Sequence, residues 1–181
     1  MHPQLQTIVD EFDAATSRLD ALVASAPHDA WFSRIDPDRW SVGECVEHLN
    51  LTSRAYLDIL DQGIADAQRI GGNAPARYRR DLIGWMLWKS MAPPVRQRVK
   101  TTAAFVPTAG GSPDDLVAEF KRLQLEQVKR VRQCDGLPLQ RVRVQSPFSA
   151  RVRYNLFSCL TILPPHQHRH LWQAEQLLKQ Q

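Results

Sequence analysis

His166 and His170 stand four residues apart, so on a helix their rings share one face with Cβ atoms about 5–6 Å apart, close enough to converge on one ion. His48 falls at the edge of an apolar helical stripe, three residues after Cys45 and one before Leu49, and can point inward between helices as a third ligand. Three neutral imidazoles around Zn²⁺ or a similar ion leave at least one coordination position open, as catalytic rather than closed structural sites do. A thiol or water bound there ionises more readily, so the chemistry available is delivery of thiolate or hydroxide to an electrophile. Spacing alone leaves other fates open. Histidines four apart also occur on ordinary surfaces, and a buried histidine commonly bonds a backbone carbonyl. His168, between the pair but off their face, reads as solvent-exposed.

These residues must be placed by helices. Leu5, Ile8, Val9, Phe12, Ala15, Leu19, Leu22 and Val23 recur at intervals of three and four, which predicts a first helix ending near Ala26-Pro27. Ser41 followed three residues later by Glu44 is a capping box, and it opens a second helix through Cys45, Val46, Leu49, Tyr56, Ile59, Leu60 and Ile64 to Gly71-Gly72. Residues 73–111, punctuated by Pro75, Pro93, Pro94, Pro107 and Gly110-Gly111, read as a long crossover with one short helix over 81–91. Ser112-Pro113-Asp114-Asp115 supplies the cap, the first-turn proline and the acidic start of a third helix that ends before Gly136. Residues 140–145 alternate as a strand would, and residues 146–181 are expected to form a fourth helix, kinked or restarted at Pro164-Pro165 because each proline removes a donor. Four long helices with one crossover predict an all-α chain: a four-helix bundle making a single domain over residues 1–181.

Composition bounds the function. With 181 residues, 43% hydrophobic and 23% charged, the chain is neither disordered nor fibrous. Cys45, Cys134 and Cys159 form no CxxC pair and are odd in number, so buried reduced thiols are expected. The N-terminus lacks the basic and apolar regions of a secretory signal, and the apolar run 82–92 contains Lys89 and is too short to span a bilayer. A cytoplasmic protein without a membrane partner is the expectation. Residues 1–76 carry 5 Lys+Arg against 12 Asp+Glu (net −7), whereas residues 77–153 carry 16 against 6 (net +10). Such a split suits a nucleic-acid surface, an anionic small-molecule site or self-complementary dimer faces. Nucleic acid is disfavoured because no aromatic residues interleave with the arginines as stacking platforms.

Three stretches, RWSVGECVEHL at 39–49, SPF at 146–148 and HQHRHLWQAEQL at 166–177, together resemble the DinB/YfiT-like superfamily, in particular its DinB_2 branch. The resemblance implies an up-up-down-down four-helix bundle, commonly a homodimer, with a divalent metal such as Zn, Ni or Fe held by His48, His166 and His170. It also implies a metal-dependent enzyme, with a low-molecular-weight-thiol S-transferase acting on a small-molecule electrophile as the first reading. A metal-dependent hydrolase and a non-enzymatic, stress-associated metal-binding dimer are the alternatives. Thiol cosubstrates carry carboxylates, for which Arg77, Arg79, Arg80, Arg151 or Arg153 are candidate receivers. Gln173 falls on the ligand face as a candidate catalytic or substrate-binding group, and Glu44 is a candidate proton acceptor whose simpler role is the capping box.

Overall fold

The computed structural model describes residues 1–91, 101–108 and 110–180. Five α-helices and a two-stranded antiparallel hairpin make up its regular structure: α1 (Pro3–Ser25), α2 (Val42–Ile70), α3 (Leu82–Met91), α4 (Pro113–Gln133), β1 (Arg143–Ser146), β2 (Ser149–Asn155) and α5 (Leu156–Leu178). The chain is therefore mostly helical, and the first three long helices and the short one in the crossover fall where the sequence pattern places them. The expected punctuation at Pro93 and Pro94 lies outside the described residues. None of the described helices is long and apolar enough to cross a membrane.

Two parts of the C-terminal expectation are corrected. Residues 146–155 are not helix but the end of β1, the turn and β2. Val144 and Tyr154 are buried while Arg143, Arg151 and Arg153 are exposed, and that alternation suits a half-buried strand. Asn155 then caps α5, its side chain accepting from the Ser158 amide at 2.7 Å. At Pro164 and Pro165 the helix neither stops nor restarts. The carbonyls of Leu160 and Thr161 lose their usual amide donors, but this stretch of α5 is buried through Leu160, Ile162, Leu163 and Pro164, and tertiary packing outweighs the local defect.

Cross-helix pairs fix the direction of each helix. Glu11 meets His168 and Arg18 meets Glu175, so α1 and α5 run parallel. Arg54 meets Glu119 and Asp61 meets Arg130, so α2 and α4 run parallel. Gln124 bonds the Phe12 carbonyl while Lys121 meets Asp20, which makes α4 antiparallel to α1. The four long helices thus run up-down-down-up along the chain, not up-up-down-down. Two consecutive long helices that point the same way need a return path, and residues 71–112 supply it.

Two apolar clusters fill the interior. One gathers Leu5 to Phe12, Tyr56 to Ala67, the hairpin and the start of α5, and the other gathers Ala15 to Leu22, Val42 to Leu49, Phe120 and Leu171 to Leu177. α3 sits close on α5 because Gly84 has no side chain; a Cβ there would lie 2.1 Å from the Ser158 Cβ. Gly84→Ala is accordingly expected to destabilise the fold by about 1–3 kcal/mol through overpacking. Urea denaturation midpoints of the two proteins, with Ser158→Gly as the relieving partner change, check this.

Candidate metal centre

The start of α2 is tightly specified. The Ser41 side chain accepts from the Glu44 amide at 3.2 Å, and Glu44 accepts from the Ser41 amide at 2.7 Å, closing the capping box. Arg34 grips the same carboxylate through both Nε and Nη2, with Nε 2.8 Å from Oε2. Burial raises the Glu44 pKa, but the Arg34 and Ser41 hydrogen bonds outweigh it, and the net shift is downward. This side chain is fully engaged as a cap and an ion pair, so the structure gives Glu44 the structural role and not that of a proton acceptor. One turn further on, the same helix delivers His48 into the interior.

His48 from α2 and His166 and His170 from α5 come together. Their ring centroids lie 5.3 Å (His48–His166), 4.4 Å (His48–His170) and 4.7 Å (His166–His170) apart. One ligand nitrogen from each lies within 4.8 Å of the others, so the group can hold a metal ion. His48 and His170 are buried and His166 keeps partial access to solvent.

Burial also fixes their charge. Desolvation lowers His48, opposed by its hydrogen bond to Phe105, and lowers His166 to about 3 with the neighbouring His48 and Arg169 adding to the effect. His170 is driven well below the usual histidine range by burial and by His166, His48 and Arg169, while a hydrogen bond to Gln173 pulls the other way. All three rings are therefore neutral at pH 7, the form that binds metal.

Two further observations fit a metal. His48 Nδ1 lies 2.7 Å from the Phe105 carbonyl oxygen, which only accepts, so Nδ1 carries the proton and Nε2 keeps the lone pair for an ion. His170 Nδ1 is buried without a hydrogen-bond partner, a defect of about 1–3 kcal/mol that a coordinated ion removes.

Aromatic rings surround the cluster. Trp40 packs against His48 at 4.8 Å and against His170 at 5.9 Å. Phe148, from the hairpin turn, lies 6.1 Å from His166 and 4.5 Å from Phe105. Sequence reasoning assigned no role to these three residues. Trp40 and Phe148 lie within the stretches that carry the family resemblance, but nothing in the pattern around Phe105 marks it. Thr108 tethers the same part of the crossover to α2, donating to the Glu47 carboxylate from its amide at 3.1 Å and its hydroxyl at 2.8 Å.

The remaining candidates divide. Gln173 does meet the cluster, through His170. Arg151 and Arg153 are exposed on β2, and the structure does not bring them to the imidazoles; the cation beside His166 and His170 is Arg169. Arg80 instead lies over the Trp88 ring at 4.1 Å and donates to Thr161. His168 is not solvent-exposed but partly buried, with Nε2 3.2 Å from Glu11. The three thiols are buried and free, and burial pushes Cys45 up to about 12.

Fold and site together define a mostly helical protein with a three-histidine centre between two of its long helices. The DinB superfamily model matches residues 11–174, which include all three histidines, and the chain belongs to that superfamily. No curated protein and no solved structure matches it.

The lowered histidines make stability depend on pH. Above about 6.5 both folded and unfolded chains hold these rings neutral; below it the unfolded chain takes up protons that the folded chain refuses. Metal-free protein is expected to lose stability as pH falls from about 6.5 towards His166's value of about 3, by about 1.4 kcal/mol per pH unit for each such ring. Urea midpoints over this range should fall less steeply in His166→Gln. Glu44→Ala is expected to cost about 1–3 kcal/mol by leaving Arg34 and the Ser41 amide without their partner. Its metal content, measured by elemental analysis, should stay that of the parent protein.

Proposed function

We propose that this protein is a metal-dependent enzyme whose three-histidine centre activates a small thiol or a water against a small electrophilic substrate. The observation that carries the reading is the donor set: three neutral imidazoles on two helices, two of them buried and His166 partly accessible, fewer than any divalent ion's full complement. A Zn, Ni or Fe ion held by His48, His166 and His170 would supply Lewis acidity and lower the pKa of a thiol or water at its open position. The Phe105 carbonyl orients His48, and Trp40 and Phe148 exclude water from the flanks of the cluster. Gln173 is placed to hydrogen-bond a bound substrate or to steady His170.

Thiol S-transfer is the first reading, on the strength of the family resemblance, with a low-molecular-weight thiol as cosubstrate. The four long helices form the superfamily's four-helix bundle as one domain, and the protein works as a homodimer in the cytoplasm.

Protein purified without an affinity tag is expected to contain about one divalent ion per chain. His48→Ala and His170→Ala should each reduce that content at least about tenfold at limiting metal. A screen pairing glutathione, bacillithiol or mycothiol with chromogenic aryl halides should show turnover that a chelator abolishes and metal restores. Metal retention with a chelator-sensitive melting temperature but no turnover of any such pair would refute the enzymatic reading and leave the ion a stabiliser of the helix ends.

A further inference from the structure

The short helix of the crossover takes no part in the histidine centre, and its surface is unusual. Leu82, Ile83, Trp85, Met86 and Trp88 all belong to the exposed large apolar side chains, and Leu82 is 71% exposed, Met86 57% and Trp85 45%. Leu82, Trp85, Met86 and Lys89 are spaced three, four and seven residues from the first, so they form one outward stripe. Gly84, Leu87 and Met91 form the inward one.

α3 is seated firmly. Asp81 caps it, accepting from the Gly84 amide at 2.8 Å and the Asn155 amide at 2.8 Å, and Gly84 packs onto Ser158. The outward stripe is thus a presented surface and not a frayed end. Its surroundings are cationic. Arg77 and Arg79 precede the helix and are exposed, Lys89 lies over the Trp85 ring at 5.1 Å, and Arg151 and Arg153 are exposed on β2, which packs against α3. The nearby acid, Asp81, is already committed to the cap and to Arg143.

We propose that α3 is an interfacial anchor that docks this protein on an anionic phospholipid surface. Leu82, Trp85 and Met86 enter the boundary between headgroups and acyl chains, while Arg77, Arg79, Lys89, Arg151 and Arg153 meet the lipid phosphates. A short apolar stripe with a tryptophan and a basic rim is the composition that holds a helix flat in that boundary. The expectation of no membrane partner rested on the lack of a spanning segment, and lying flat requires none. A second copy suits the face less well, because a two-fold contact would set one basic rim against the other.

Co-sedimentation of the full chain with vesicles tests this, comparing phosphatidylcholine alone with an equimolar mixture of phosphatidylcholine and phosphatidylglycerol. Binding to the mixed vesicles is expected to be at least about tenfold tighter and to weaken as salt is raised. The double variant Leu82→Glu/Met86→Glu should lose at least about tenfold of it, while its circular dichroism, melting temperature and metal content stay those of the parent. The charge variant Arg79→Gln/Lys89→Gln keeps the apolar stripe and should lose the preference for phosphatidylglycerol. On mixed vesicles the tryptophan emission should shift to the blue, and by less in Trp85→Phe. Equal sedimentation with both vesicle types, binding that survives the Leu82/Met86 double variant, or a dimer in sedimentation velocity that the same double variant dissolves, would each overturn the proposal, the last by assigning the face to a second copy.

Discussion

Removing water from three imidazoles at once is the condition on which this structure turns. A lone buried histidine escapes with one hydrogen bond, but three within a few ångströms of one another penalise any proton that lands on them, first by desolvation and then by mutual repulsion. The neutral cluster therefore gains from helices that are held along their axes at more than one point. α2 is fixed by the Ser41–Glu44 box with Arg34 locked onto it, and α5 by its Asn155 cap. The depressed basicity of the rings is a property of these two helix starts as much as of the residues around them.

Chain direction explains why the crossover is long and why it matters to the cluster. Because α2 and α4 are parallel, the connection must travel back along the length of a helix before α4 can begin. On its way it lays Phe105 and Thr108 against the first turns of α2, where a backbone carbonyl settles which nitrogen of His48 keeps its lone pair. A segment that topology requires has thus also become the outer support of a ligand.

Much of this was written in the sequence, and the failures have identifiable causes. The capping box and the helices at 3–25, 42–70 and 113–133 followed from spacing and cap chemistry, because in each the local signal and the tertiary packing agree; the three histidines were singled out by their spacing but joined into one set only by the family resemblance. The hairpin was half missed: the alternation at 140–145 was seen, but the stretch from Ser149 to Asn155 runs straight into α5, and without Asn155 recognised as a cap no boundary is visible. The restart that the two prolines allowed does not occur, since burial of their flanks outweighed a local penalty. Helix direction was taken from the family resemblance, and pairs such as Arg18–Glu175 reversed it. Phe105 acts through its main chain, and a carbonyl leaves no trace in residue identity.

One residue beyond His166, Gln167 and Gln124 of α4 exchange amide hydrogen bonds in both directions, at 2.7 and 3.0 Å, and Gln124 reaches on to the Phe12 carbonyl of α1. Leucines slide past one another with little discrimination, but a reciprocal amide pair in an apolar interior closes at a single offset and is costly at every other. This glutamine clasp works as a vernier. It keys the rotation and axial position of α5 to two other helices, so the same turn that buries an amide also decides which way the neighbouring imidazole faces.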